Sequence, residues 1–140
     1  MIGRGMAISA MLTLGACTSD RPAPIAYESD NCVYCHMQIS DRHFAAAIVT
    51  RHGRTLKFDS VECMREYYAR NAADVASAWV SDFAHPGTML LAGRAKYFDL
   101  GAGRAPMGKS HAWAAVATAN GGAALVGVDA DTLRSWAELQ

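Results

Sequence analysis

Cys32-Val33-Tyr34-Cys35-His36-Met37 places two thiols, an imidazole and a thioether within six consecutive residues. A Cys-x-x-Cys loop brings two sulfur atoms close enough to bind one metal ion, so this stretch predicts a metal knuckle at the start of the folded part. A second sulfur pair, Cys63-Met64, follows further along the chain. Soft sulfur donors gathered this densely favour Cu(I) over the other common biological metals.

The segments after the knuckle predict a hairpin, a helix and a further strand. Each is short, and each either alternates apolar with polar residues or repeats apolar residues at helical spacing. In chain order these elements are expected at His43–Thr50, Thr55–Asp59, Ser60 to about Ala72, and Ala76–Phe83. Residues 31–85 are therefore predicted to form a ββαβ half that carries the Cys-x-x-Cys-x-Met motif.

A capping pattern marks the start of the predicted helix. Asp59 is expected to be the N-cap, with Glu62 three residues later, which is the spacing of a capping box. Cys63 then lies in the first turn, where the positive field of the helix end favours a thiolate. A helix cysteine after a knuckle and a hairpin gives a treble-clef-like layout, in which Cys63 can join Cys32 and Cys35.

Residues 86–140 are predicted to form a second half, after a break at His85-Pro86-Gly87. Candidate strands are Thr88–Leu91, Arg94–Phe98 and His111–Thr118. The alanines of the last segment also permit a helix. Asp129–Leu139 is expected to be a short helix or a closing strand.

The first residues have the pattern of a secretory signal. One positive charge, an apolar run of about ten residues and small residues lead to Cys17, and this run is too short to span a bilayer. Leu14-Gly15-Ala16-Cys17 resembles the bacterial lipobox. We predict a signal peptide at 1–16, lipidation of Cys17 and a flexible tether over 17–30, which would place the protein in the periplasm on a membrane. An ordinary signal peptide that ends near a cysteine is the alternative.

Composition and charge narrow the functional class. The chain has 140 residues, with 13 basic and 13 acidic side chains and a formal net charge of zero. This length fits one compact domain with a modest core. The charge balance provides no field for steering nucleic acid, and neither a nucleotide-binding loop nor a catalytic triad is visible. The sequence therefore favours a binding protein over an enzyme.

Two methionines are candidate ligands beside the thiols. Met37 lies two residues after Cys35, so its flexible side chain can fold over the same site. Met107 occupies a loop between proline and glycine, where packing in a core explains it less well. Met64 lies on an apolar helical stripe and is expected in the core, whereas His36 is either a donor or solvent-facing. The candidate metal ligands are Cys32, Cys35, Met37, Met107 and Cys63.

Three functional classes are compatible with these residues. The first is a Cu(I) carrier, which the methionines favour because zinc sites rarely use thioethers. The second is a structural zinc domain that binds through Cys32, Cys35, Cys63 and one histidine. The third is a thiol-disulfide protein, since an oxidising compartment makes a Cys32–Cys35 disulfide the default. Its motif precedes a hairpin, however, whereas the thioredoxin motif opens a helix.

At these residues the chain resembles the NosL family of copper-binding accessory lipoproteins for nitrous oxide reductase maturation. The matching pieces are Leu14-Gly15-Ala16-Cys17, Cys32-x-x-Cys35-x-Met37, Phe44-Ala45, Lys57-Phe58-Asp59, Cys63-Met64, Ala95-Lys96-Tyr97-Phe98 and Pro106-Met107-Gly108. After about Gly108 the chain departs from the family, because Asn120-Gly121-Gly122 interrupts the place of an alanine-rich helix.

The resemblance implies an α+β fold with two ββαβ-like halves and small antiparallel sheets. It also implies a membrane-anchored Cu(I) chaperone that supplies copper to nitrous oxide reductase and works with an ABC-type maturation transporter complex. Carried over by position, the implied copper ligands are Cys32, Cys35, Met37 and Met107, with Cys63 and Met64 next to them.

Overall fold

The computed structural model describes residues 20–104, 111–117, 126–127 and 129–140. Its strands and helices, in chain order, are β1 Ala46–Thr50, β2 Thr55–Phe58, α1 Val61–Asn71, β3 Val75–Ser81, β4 Met89–Leu91, β5 Ala95–Asp99, β6 Trp113–Ala117, β7 Arg134–Ser135 and α2 Trp136–Leu139. Short 3-10 turns lie at Ala72–Asp74, Ala102–Arg104 and Ala130–Thr132.

The first sheet is antiparallel, with strand order β2-β1-β3-β4. The β1–β2 hairpin pairs Ala46 with Phe58 and turns through Gly53, whose φ of +78° is a left-handed conformation that glycine adopts without steric cost. At the opposite edge, Leu91 of β4 pairs with Trp79 of β3. The predicted hairpin, helix and third strand are confirmed, with each end within three residues of its expected position.

The edge strand β4 follows His85-Pro86-Gly87, where the sequence predicts the break between halves. A tight turn there reverses the chain, since the Asp82 amide donates to the Thr88 carbonyl and the Thr88 amide to the His85 carbonyl. β4 is thereby brought antiparallel to β3. The first sheet therefore includes a strand from the segment that the sequence assigns to the second half.

The inner face of the first sheet packs on α1. Ile48, Phe58 and Val80 alternate along their strands with residues of the other face, and each is fully buried. From the helix, Val61 and Met64 join the same core cluster. This packing confirms that Met64 is a core residue, and it fixes the first turn of α1 against the end of β2.

The outer face of the first sheet is covered by residues 20–30, which the sequence assigns to a tether. The Asp20 carbonyl accepts hydrogen bonds from Ser77 Oγ (2.9 Å) and Trp79 Nε1 (3.1 Å). Farther along, the Ala23 amide donates to Thr55 Oγ1 at 2.9 Å. From Asp20 onward this segment is therefore packed on the domain, because the polar side chains on the outward positions of β2 and β3 bind its backbone.

The second sheet is antiparallel, with strand order β6-β5-β7. The segment that the sequence left open between strand and helix is the strand β6. At the C-terminus, β7 runs directly into α2, so the segment expected to be a helix or a closing strand contains one of each. Asn120-Gly121-Gly122, where the family pattern places a helix, lies outside the described residues. The prediction of an α+β fold with two small antiparallel sheets is confirmed.

Backbone hydrogen bonds connect the two sheets. Asp82, just after β3, forms a parallel bridge with Ala115 of β6, and the Phe83 amide donates to the Ala115 carbonyl at 2.7 Å. In addition, Glu62 of α1 accepts a hydrogen bond from the Trp113 amide. The start of α1 is thus held by both sheets. Within the described ranges, none of the helices has the length and apolar character needed to cross a membrane.

Candidate metal centre

The Cys-x-x-Cys segment folds into a closed loop. The Cys32 amide donates to the Met37 carbonyl at 2.8 Å, and the His36 amide donates to the Cys32 carbonyl at 2.9 Å. His36 completes the turn with a φ of +64°, a left-handed conformation in which histidine is found more often than most residues. The Val33 amide then donates to the Lys57 carbonyl at 3.0 Å, which attaches the loop to β2. The predicted knuckle therefore has a fixed position beside the hairpin.

The N-cap of α1 is Ser60, so the prediction of Asp59 at this position is wrong. Ser60 has an extended backbone, and its Oγ accepts a hydrogen bond from the Cys63 amide at 3.2 Å. With Ser60 as the N-cap, Glu62 lies at N2 and Cys63 at N3, so the predicted capping box does not form. The Glu62 carboxylate accepts from the Trp113 amide of the second sheet. A serine hydroxyl caps a helix as well as a carboxylate does, and this arrangement leaves Asp59 available for another contact.

Asp59 instead joins the three thiols. One ligand atom from each of Cys32, Cys35, Asp59 and Cys63 lies within 4.8 Å of the others. Cys32, Cys63 and Asp59 are buried, and Cys35 is half-buried. None of these three cysteines forms a disulfide. The knuckle, the end of β2 and the first turn of α1 each contribute to this cluster, as the treble-clef-like layout predicts.

The surroundings of Asp59 fit a cation. Its side chain is 6 % exposed, and its Oδ1 is buried with no hydrogen-bond partner. A buried carboxylate oxygen without a partner is costly, and a metal ion beside three sulfur atoms would supply the missing interaction. The Cys3Asp cluster can therefore hold a metal ion. Thiolates suit both Zn(II) and Cu(I), so the donor atoms alone do not choose between these two metals.

The thiolate of the cluster belongs to Cys32. A hydrogen bond from the Cys63 thiol lowers the pKa of Cys32 to about 6, and backbone amides of Cys35, Asp59 and Tyr34 add to this effect. Four donors around one sulfur atom stabilise its negative charge in a site that is otherwise shielded from water. One metal ligand is therefore already ionised near neutral pH.

The other two thiols hold their protons more tightly. Burial raises the pKa of Cys35 to about 11. The pKa of Cys63 is raised further, because its thiol donates a hydrogen bond to Cys32 and is also buried. The expectation that the helix field makes Cys63 the thiolate is therefore wrong for the metal-free cluster. Cys35 and Cys63 therefore have to lose their protons when a metal ion binds all three sulfur atoms.

The cluster borders a cleft on the side of Asp59. Asp59 lines a cleft of about 280 Å³ together with Met37, Asp41 and Arg104. Met37 is 54 % exposed at this cleft, so its side chain is accessible to an approaching ligand. Cys35 is also partly accessible. A metal ion in the cluster would therefore be within reach of an incoming ligand.

Of the residues proposed from sequence, the three thiols come together and Met37 lies at the cleft beside them. Met107 and Cys17 lie outside the described residues. None of the five histidines, all described and all exposed, belongs to the cluster. Four of them face carboxylates, in the pairs His43–Asp41, His52–Asp74, His85–Asp82 and His111–Asp99. The fourth group of the cluster is therefore Asp59, and not the histidine of the zinc alternative.

The sequence did not identify Asp59 as a candidate ligand, because an aspartate just before a helix is also typical of an N-cap. Asp59 and Ser60 are adjacent, and either residue type can cap. The signal that favours Asp59 as a ligand is its place between β2 and α1, four residues before Cys63 and next to the knuckle. No family model, curated protein or solved structure matches this chain.

Proposed function

We propose that this protein is a membrane-anchored Cu(I) chaperone of the NosL type, which supplies copper for the maturation of nitrous oxide reductase. The observation that carries the proposal is the grouping of three thiols beside an open cleft with an exposed thioether at its edge. The lipobox and the family resemblance add the location, on the periplasmic side of a membrane, and the partners, nitrous oxide reductase and its ABC-type transporter complex.

The chemistry of the cluster suits a carrier. Cu(I) binds with low coordination numbers to soft ligands, so two or three of the sulfur atoms are sufficient to hold it. The half-buried Cys35 and the exposed Met37 leave a route by which an acceptor's sulfur can approach before the donor ligands leave. A structural zinc site is closed by four protein ligands, whereas the half-buried Cys35 leaves this cluster accessible.

Structural zinc in an assembly module is the second candidate, and Asp59 is the observation that favours it. A carboxylate is a hard ligand that Zn(II) accepts readily, and three thiolates with one carboxylate complete a tetrahedral shell. The treble-clef-like position of Cys63 is consistent with this assignment. The cleft beside Asp59 favours the carrier, because a structural zinc site is closed by its four ligands and does not require access from outside.

A competition titration separates the two candidates. The reduced mature chain is titrated with Cu(I) against a chromophoric Cu(I) chelator, and Zn(II) is titrated in parallel. We expect tight one-to-one Cu(I) binding and weaker zinc binding. Cys32→Ser, Cys35→Ser and Cys63→Ser should each lower the Cu(I) affinity by more than about tenfold, because each removes a thiolate. Zinc binding that is required for folding, with weak Cu(I) binding, would contradict the carrier and establish the structural site.

A pair of methionine variants tests the cleft side of the cluster. Met37→Leu keeps the volume of the side chain but removes the thioether, whereas Met89→Leu makes the same change on the edge strand β4. We expect Met37→Leu to weaken Cu(I) binding or slow its transfer to a thiol acceptor, and Met89→Leu to leave both unchanged. The copper content of nitrous oxide reductase from cells that lack this protein then tests the client.

A further inference from the structure

The outer face of the first sheet carries a cleft at its β4 edge, and no residue of the metal cluster lines it. Its volume is about 340 Å³, and Trp79, Met89 and Leu91 form much of its apolar wall. The charged residues that line it, among those described, are Arg21 and Arg94, and both are exposed. The cleft thus combines apolar side chains with two guanidinium groups.

The covering segment brings Arg21 to this position. The Asp20 carbonyl is held by Ser77 Oγ and Trp79 Nε1, and the Arg21 guanidinium carbon lies 5.9 Å from the centre of the Trp79 ring. Arg94 approaches from the turn between β4 and β5, where its amide donates to the Leu91 carbonyl at 2.9 Å. Both arginines are therefore fixed to the sheet through their backbones.

The short distance in sequence between Cys17 and Asp20 limits how far this face can lie from a membrane. Three residue steps span at most about 11 Å, whatever the conformation of residues 17–19. Acyl chains on Cys17 would hold its sulfur at the level of the lipid headgroups. The proposed anchor would therefore keep Arg21 and the cleft next to those headgroups.

We infer that this cleft is a docking surface for the phosphate groups of anionic phospholipids in the membrane that holds the anchor. The inference rests on the lipidation of Cys17 that the proposed function includes. Guanidinium groups bind phosphate through two parallel N–H donors, and the apolar wall suits the glycerol and upper acyl region. Each arginine near an anionic surface strengthens attachment about fivefold.

Docking in this way would orient the metal cluster. Thr55, which binds the covering segment, begins β2, and Asp59 of the cluster follows its last residue, so the two are about 13 Å apart along the chain. The cluster lies at the knuckle and the first turn of α1, whereas the Asp20 end of the covering segment lies on Ser77 and Trp79 of β3. The cleft beside Met37 shares no lining residue with the cleft of Arg21 and Arg94, so phospholipid bound at the arginines would leave it accessible to a protein partner.

Arginine footprinting of the lipidated mature protein tests the docking surface. The protein is reconstituted in vesicles of phosphatidylcholine, with or without phosphatidylglycerol, and labelled with phenylglyoxal before peptide mass spectrometry. We expect labelling of Arg21 and Arg94 to fall at least fivefold in the anionic vesicles. Labelling of Arg70, at the exposed end of α1 on the other side of the sheet, should not change. High salt should restore labelling of Arg21 and Arg94.

Two variants sharpen this test. Arg94→Gln should restore most of the labelling of Arg21 in anionic vesicles, because it removes half of the guanidinium charge of the cleft. Arg70→Gln, the matched control, should leave the protection of Arg21 unchanged. Equal labelling of Arg21 and Arg94 in both vesicle compositions would overturn the inference, as would protection that persists in detergent micelles, which would indicate a second copy on this face.

The anchor and the copper site are checked separately. Mass spectrometry of the Cys17 peptide reports its acyl chains, and a peptide without them would overturn the docking surface together with the anchor. The Cu(I) titration does not involve the outer face. Loss of copper binding with intact arginine protection would therefore reject the carrier and keep the docking surface. Intact copper binding without arginine protection would keep the carrier and reject the docking surface.

Discussion

The two faces of the first sheet are built from the same strands but are covered by different kinds of segment. The inner face packs on α1, an amphipathic helix whose first-turn residues Val61, Cys63 and Met64 are fully buried. The outer face is covered by residues 20–30, an irregular segment with two prolines that is held through individual hydrogen bonds. The comparison shows that a segment with the polar, proline-containing composition of a linker can cover one face of a sheet.

The largest expected effect is on the inner face. Phe58→Ala removes a fully buried ring that contacts Tyr67 of α1, and should cost about 3–5 kcal/mol in free energy of unfolding. Leu91→Ala on the outer face removes a partly exposed side chain and should cost less than about 2 kcal/mol. Urea unfolding followed by circular dichroism measures both. Equal losses would contradict the difference between the faces.

The second prediction concerns Asp59, at the end of the inner face. Asp59→Asn keeps the size of the side chain but removes its charge. The affinity of the variant for Zn(II) should fall about tenfold or more, since the carboxylate completes the tetrahedral shell of a zinc site. Affinity for Cu(I) should change less than about threefold, because soft sulfur ligands dominate its binding. Competition titrations of both metals measure the two affinities. A larger loss of affinity for Cu(I) than for Zn(II) would contradict the expectation that Asp59 matters more for zinc than for copper.

The third prediction tests the cap that orients Cys63. Ser60→Ala removes the hydroxyl that accepts from the Cys63 amide, and should lower the free energy of unfolding by about 1 kcal/mol. Ser29→Ala, at an exposed serine, is the control and should stay within about 0.5 kcal/mol of the wild type. Chemical denaturation measures the difference. No loss for Ser60→Ala would mean that the helix is capped by another group.

The smallest expected effect concerns the ion pair on the outer face between Asp30 and Lys57, whose charged atoms are 2.6 Å apart. The hydrogen bond from Lys57, with a second from the Ala26 amide, lowers the pKa of Asp30 below its usual value near 3.9. Because the pKa is lower in the folded state, its contribution to stability is complete above about pH 4 and is lost as the pH falls through the folded value.

Asp30→Asn should therefore flatten the loss of stability in acid. At neutral pH it should cost less than about 1 kcal/mol, since both partners of the pair are partly exposed. Unfolding midpoints in urea at several pH values from 2 to 7 test this expectation. Asp131→Asn, at an exposed aspartate near the C-terminus, is the control. An unchanged acid profile in Asp30→Asn would show that the pair does not contribute.

Two predictions from the residues around the cluster were wrong, and for different reasons. Asp59 and Cys63 were assigned from the helix pattern alone, as a cap and as a thiolate. The structure gives the cap to Ser60 and the lowered pKa to Cys32. The cap is a local hydrogen bond between Ser60 and the Cys63 amide, and the sequence offered two adjacent residues that can form it. The lowered pKa of Cys32 depends on contacts between the knuckle and residues about thirty positions later, and a local pattern contains no information about such contacts.

The amino-acid sequence by itself determined the hairpin, the helix α1 and the grouping of Cys32 with Cys35. These features depend on apolar periodicity, a glycine turn and a loop of four residues, all of which act between neighbours in the chain. Tertiary structure decided the rest. It placed Asp59 among the thiols, β4 in the first sheet and residues 20–30 on the outer face. Each of these depends on which backbone and side-chain groups meet after folding, and such contacts join residues that are distant in sequence.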